Sequence, residues 1–147
     1  MKKNMKTICI TGAGNGIGRA IAIEMSKHGY NIVCADINIQ NAKKTLEIIE
    51  QNNQIGIAVK ADVTIISDIN AMIDITTDRF GSIDVIVNNA GVTRTSGIME
   101  LNEKDWDWIH NVNAKGTFFC LQIAAKQMIK QNKGGRIINI ASVGGKG

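Results

Sequence analysis

Five short apolar runs punctuate the chain, and stretches of helical periodicity lie between them. The runs are Lys6–Ile10, Asn31–Asp36, Ile55–Val59, Ile83–Val87 and Arg136–Ile140. They are nearly continuous rather than alternating, the pattern of strands buried on both faces. The first helical stretch places Ile17, Ala20, Ile21, Met25 and His28 on one face. The second runs from Asn38 to Gln51 with Ile39, Ala42, Leu46 and Ile49 inward. The third runs from Thr64 to Phe80 with Ile69, Ile73 and Phe80 at helical spacing. A fourth, long helix is capped by Asn102 and stopped by Gly134-Gly135. Along it Trp106, Ile109, Asn113, Gly116, Cys120, Ile123 and Gln127 share one face. Strand and helix alternate throughout, which predicts an α/β fold: a doubly wound, parallel, Rossmann-type sheet of five strands in three α/β/α layers. No linker, repeat or low-complexity segment interrupts it, so residues 1–147 read as one domain.

Between the first strand and the first helix stands Thr11-Gly12-Ala13-Gly14-Asn15-Gly16-Ile17-Gly18. Strand, glycine turn, helix is an arrangement that binds nucleotide phosphates. Glycines let the backbone approach the ligand, and the unpaired N–H groups of the helix start face the pyrophosphate. The spacing is T-G-x-x-x-G-x-G, on Thr11, Gly12, Gly16 and Gly18, rather than strict G-x-G-x-x-G, because Ile17 stands where that pattern needs glycine.

The second strand ends in Asp36, at about the 20-residue distance where a carboxylate accepts hydrogen bonds from the adenosine ribose hydroxyls. A carboxylate there would repel a 2′-phosphate, and neither Asn15 nor Ile37 is a cation that would receive one. Both features favour NAD over NADP. The competing reading of Asp36 is a solvent-facing cap of the next helix. Ligands of such sheets bind beyond the carboxyl ends of the strands. Thr11, Asp36, Asp62, Asn88, Asn89 and Ser142 all fall there.

Composition narrows the picture. At 147 residues and 44% hydrophobic the chain has enough material for a core. The formal net charge is +4, with Lys2, Lys3 and Lys6 forming a solvated end. No helix carries a basic stripe interleaved with aromatics, so nucleic acid is not an expected partner. No apolar run reaches membrane-span length, and no signal-peptide core follows the start, so a cytoplasmic location is expected. Cys9, Cys34 and Cys120 lack metal spacing and read as buried thiols. His28 and His110 are isolated surface or helix-end residues, and no His/Cys cluster suggests a metal. Trp106 reads as helix packing, and Trp108 points elsewhere, towards a subunit contact.

Taken in order, these motifs resemble the short-chain dehydrogenase/reductase family along the whole chain. The resemblance rests on the glycine motif, Asp36, the Asp62-Val63 pair, Asn88-Asn89-Ala90-Gly91, Asn113 within Asn111-Val112-Asn113, and Ser142 after Ile138-Asn139-Ile140-Ala141. It implies hydride transfer between NAD(P) and an alcohol or carbonyl: a 3-oxoacyl thioester, a polyol, a sugar or a small ketone. It implies cofactor contacts at Gly12, Asn15, Gly16, Ile17, Gly18, Asp36, Asp62, Val63, Asn89, Ala90 and Gly91, with Asp62-Val63 at the adenine. Ser142 would hydrogen-bond the reacting oxygen, and the carbonyl of Asn113 would position a water of the proton relay. It further implies a homodimer or homotetramer for the full-length form, joined through the long helix.

The family also places a Tyr-x-x-x-Lys motif after the serine. Here Val143-Gly144-Gly145-Lys146-Gly147 follow Ser142, and Tyr30, the one tyrosine, starts the second strand. The chain therefore resembles the first part of a longer enzyme, a domain incomplete at its C-terminus and expected to be inactive alone. The alternative is a non-catalytic dinucleotide-binding fragment or remnant. A methyltransferase or another doubly wound nucleotide binder would share the glycine turn but not the Asn-Asn-Ala-Gly, Asn113 and Ser142 placements. The Arg136–Ile140 strand is expected to be an uncovered, aggregation-prone edge.

Overall fold

A computed structural model describes residues 5–142; Lys2, Lys3 and Lys146 lie outside the described residues. The elements run β1 (Thr7–Thr11), α1 (Gly16–Lys27), β2 (Asn31–Asp36), α2 (Ile39–Gln51), β3 (Gly56–Lys60), α3 (Ile66–Phe80), β4 (Val85–Asn88), α4 (Glu103–His110), a π-helical segment (Asn111–Gly116), α5 (Thr117–Lys130) and β5 (Arg136–Asn139). The strands form one sheet in the order β3-β2-β1-β4-β5, and every pairing is parallel. The five expected strands are all present. The direction of strand addition reverses between β1 and β4, so the crevice for a ligand lies outside the ends of these two strands.

Alternation along each strand divides the core in two. Ile8, Ile10, Ile32, Cys34, Val85 and Val87 pack with Ala22, Ala42 and Ile49 of α1 and α2. Cys9, Val33, Ala35 and Ile86 pack on the other face with Ile69, Met72 and Ile73 of α3 and Cys120, Ala124 and Met128 of α5. All three cysteines are buried and free, as the strand and helix patterns required. Among the described residues, no helix is long and apolar enough to cross a membrane.

Two helix faces differ from expectation. The buried stripe of α1 is Gly18, Ala22 and Ser26. Ile17, Ala20 and His28 are exposed instead, with Ile21 and Met25 half-buried beside the stripe. Small residues are selected there because α1 must approach the glycine loop closely: a Cβ on Gly18 would run into the carbonyl of Gly12. The long helix is likewise not one regular face. Its π segment takes an extra residue per turn and shifts the helical phase. Past it the buried line is Gly116, Cys120, Ala124 and Met128, with Ile123 at its flank. Asn113 and Trp106 are exposed, and Trp106 stacks on His110 with ring centroids 4.0 Å apart rather than packing inward.

Candidate functional site

The loop between β1 and α1 lies at the crevice. Gly12 and Gly16 adopt φ of 66° and 50°, the left-handed region that glycine favours. Their turns carry the chain from the end of β1 to the N-terminus of α1. The Asn15 side chain makes no cap bond, and no acidic residue stands in the first turn. The first N–H groups of α1 therefore face outward with the positive end of the helix dipole behind them, a donor set that fits a pyrophosphate. Open space surrounds the position a Cβ on Gly16 would take.

The loop after β4 is tied to β1 through Thr11. Its Oγ1 accepts from the N–H groups of Asn89 (3.0 Å) and Ala90 (3.1 Å). The Nδ2 of Asn89 donates to the carbonyls of Thr11 (3.0 Å) and Gly12 (3.3 Å). The Asn89 side chain and the main-chain N–H groups of Asn89 and Ala90 thus clamp the two loops of the crevice together. Asn88 performs a different task. It sits opposite Asn139 in the β4–β5 register, and its Nδ2 donates to the Oδ1 of Asn139 at 2.8 Å. Its own Oδ1 is buried, and among the described residues it has no hydrogen-bond partner.

Asp36 is buried at the end of β2. Its Oδ2 accepts from the N–H of Gly14 (2.8 Å) and its Oδ1 from the N–H of Asn38 (2.9 Å). It therefore does not cap α2 as a solvent-facing residue; Asn38 is the cap, accepting from Gln40 and Asn41. Asp62 turns inward on its own segment, its Oδ1 accepting from both the N–H and the hydroxyl of Thr64. Val63 lies against Gly116, where a Cβ would come within 3.0 Å of the Val63 carbonyl. The missing side chain at Gly116 lets the segment after β3 lie close to the π-helical turn.

Asn113 projects from the π segment towards the loop after β4. Its Oδ1 accepts from the N–H of Val92 and its Nδ2 donates to the carbonyl of Val92, each at 2.8 Å. Ser142 follows β5, exposed at the carboxyl edge of the sheet. Val92 and Ser142 thus follow the adjacent strands β4 and β5, on the same side as Gly12 to Gly18, Asp36 and Asp62–Val63. Tyr30 is half-buried against the α1/α2 core at the opposite, amino end of β2.

Sequence reasoning passed over Arg19 and Thr45. Arg19 donates through Nη2 to the carbonyl of Gly14 and through Nε to the Thr45 hydroxyl at 3.1 Å. Thr45 donates in turn to the carbonyl of Ala13 at 2.8 Å. The available signal was the position of Thr45 in helical register with Ala42 and Ile49, on the stripe that α2 buries. Burial pushes the thiols of Cys34 and Cys120 up to about 12 and that of Cys9 higher still. None of the three is poised as a nucleophile. Among the described residues, no group of three or more His, Cys, Asp or Glu gathers to hold a metal.

Residues 6–147 match the family model described as short chain dehydrogenase, and the chain belongs to that family. A 3-oxoacyl-(acyl-carrier-protein) reductase of Staphylococcus aureus is 40% identical over 97% of this chain and 58% of the relative. A 2-dehydro-3-deoxy-D-gluconate 5-dehydrogenase of Escherichia coli is 40% identical over 94% of this chain and 54% of the relative. The crystal structure of a short-chain type dehydrogenase/reductase from Mycobacterium marinum superposes with a TM-score of 0.94 at 29% identity, covering 96% of this chain and 57% of that one. The chain thus spans a little over half the length of the relatives it matches.

Proposed function

We propose that residues 1–147 form the cofactor-binding domain of an NAD-dependent oxidoreductase that interconverts an alcohol and a carbonyl. The observation that carries this reading is the pairing, in one crevice, of an uncapped α1 N-terminus with a buried carboxylate at the end of β2. The first suits a pyrophosphate and the second a ribose diol. Gly12, Asn15, Gly16, Ile17 and Gly18 would hold the pyrophosphate. Asp36 would hold the adenosine ribose, and Asp62 and Val63 the adenine. Asn89, Ala90 and Gly91 would line the nicotinamide side. The bound nicotinamide supplies hydride chemistry; the protein supplies orientation and proton handling.

In this reading the hydroxyl of Ser142 donates a hydrogen bond to the reacting oxygen. The side chain of Asn113 is bonded to Val92 and so holds the loop after β4, and its main-chain carbonyl would position a water of the proton relay. The substrate class is a 3-oxoacyl thioester, polyol, sugar or small ketone; of the two relatives above, one is named for a 3-oxoacyl thioester and the other for a sugar acid. The full-length form would be a homodimer or homotetramer in the cytoplasm. A second reading has a specific observation behind it. The chain's single tyrosine, Tyr30, lies at the far end of the sheet. The 147-residue chain would then bind the dinucleotide without turnover.

Calorimetric titration of the purified chain with NAD and with NADP tests the proposal. Saturable binding that is tighter for NAD supports it. Absence of binding to either nucleotide overturns it. Binding accompanied by no oxidation of any alcohol of these classes supports the second reading.

A further inference from the structure

Gly14 and Gly18 are the loop glycines whose φ lies outside the left-handed region, so conformation does not demand glycine at either. Space does, but for different reasons. A Cβ on Gly18 would strike Gly12 of the same loop and the side chain of Asn89 after β4. A Cβ on Gly14 would lie 2.6 Å from the Oδ2 of Asp36 and 2.7 Å from the Cβ of Asn41. Position 14 is therefore glycine because the Asp36 carboxylate and the first turn of α2 occupy the place of its side chain.

That close approach lets the Gly14 N–H reach Oδ2 at 2.8 Å, while the Asn38 N–H holds Oδ1 at 2.9 Å. The carboxylate is pinned at both oxygens. An ionised carboxylate offers about four acceptor positions, so roughly two remain for a ligand. A vicinal diol has two hydroxyl donors to match them. A phosphate in the same place would face a negative group unable to rotate away. Behind the contact, Thr45 and Arg19 grip the carbonyls of Ala13 and Gly14, from α2 and α1 respectively. They also bond each other at 3.1 Å. The Ala13–Gly14 backbone is thus fixed from the side opposite Asp36.

We propose that Gly14 is a specificity-determining residue for an unphosphorylated adenosine ribose, acting through its contact with Asp36, and that Arg19 and Thr45 are positioning residues for that contact. The inference rests on the dinucleotide reading above. It goes beyond it by making the preference a property of the loop and not of Asp36 alone.

The test is the ratio of NADP to NAD dissociation constants, measured by titration of the full 147-residue chain and its variants. Gly14→Ala should reduce the ratio about tenfold, the value of one charge-assisted hydrogen bond. In an Asp36→Ala background the same change should leave the ratio unaltered, because the crowded carboxylate is gone. Thr45→Val should reduce the ratio and Thr45→Ser should preserve it, a difference that packing alone would not produce. A folded Gly14→Ala protein with the wild-type ratio overturns the proposal. If Gly14→Ala does not fold, an unchanged ratio in Thr45→Val overturns it instead. Wild-type protein that binds neither nucleotide overturns the dinucleotide reading and this inference together. Wild-type preference for NAD with no effect of either substitution removes only the inference.

Discussion

The side-chain amide of Asn113 closes a two-bond ring with the backbone of Val92, Nδ2 to carbonyl and Oδ1 to N–H, each at 2.8 Å. It joins the π-helical turn to the first residues after β4. An amide alone among short side chains supplies one donor and one acceptor in that geometry. Asn113→Asp keeps the acceptor and puts a lone pair against the Val92 carbonyl. We expect faster amide exchange and faster proteolysis across residues 92–101, with a global stability loss of no more than about 1.5 kcal/mol because the pair is solvent-exposed. Hydrogen exchange followed by mass spectrometry reads both. Unchanged exchange in that loop would show that Asn113 does not hold it.

Thr11 carries a second junction. Its buried Oγ1 receives the N–H groups of Asn89 and Ala90. Thr11→Val keeps the shape and removes the acceptor, leaving two donors unpaired at the floor of the crevice. A loss of about 2 kcal/mol is expected in urea unfolding. Thr11→Ser retains the hydroxyl and should recover most of it. A loss in Ser with none in Val would mean that the methyl group, not the hydroxyl, matters.

Much of this arrangement is legible in the amino-acid order. Apolar runs such as Ile8-Cys9-Ile10 mark strands buried on both faces, and alternation with helices fixes a parallel sheet. The polar residues at the strand ends follow from that. What escapes is whatever depends on closeness and not on hydrophobicity. The inward face of α1 is Gly18, Ala22 and Ser26, so a search for large apolar residues selects exposed Ile17. The π segment at Asn111–Gly116 shifts the phase of its helix, so Trp106 cannot share a face with Cys120. The backbone partners of Asp36 depend on the path of the glycine loop, which spacing does not encode.

The three thiols give an alkaline signature. In the folded chain Cys34 and Cys120 are raised from 9.0 to about 12, and Cys9 is raised further. A raised folded value means that the native state keeps its proton while the unfolded chain loses it. Stability from these groups is fully present below about pH 9 and falls as pH rises towards 12. The slope is about 1.4 kcal/mol per pH unit for each thiol. Denaturant midpoints between pH 8 and 10.5 should fall, and substitution of Cys9 by Ala should flatten the fall by roughly one third of it. At pH 8 a thiol-specific reagent should label none of the three until denaturant is added. Rapid labelling of the native chain would contradict their burial.

The edge of the sheet sets the behaviour of the isolated chain. Among the described residues β5 pairs with β4 on one side, and its other side has no strand. Ile138 and Ile140 are 46% and 40% exposed there. An apolar strand with unpaired N–H and C=O groups adds further strands readily. Exposed Phe118 and Ile129 of α5 enlarge the apolar surface. A lysine at position 138 would keep the β4–β5 ladder, since it alters no backbone group, and would place a charge where another strand must dock. We therefore expect the 147-residue chain to self-associate at micromolar concentration. Ile138→Lys should move it towards monomer in light scattering, with the unfolding midpoint nearly unchanged. If the wild-type chain is a monomer with a sharp cooperative transition, the exposed edge is tolerated. If Ile138→Lys leaves association unaltered, the contact lies elsewhere, and the α5 face carrying Phe118 and Ile129 becomes the surface to substitute.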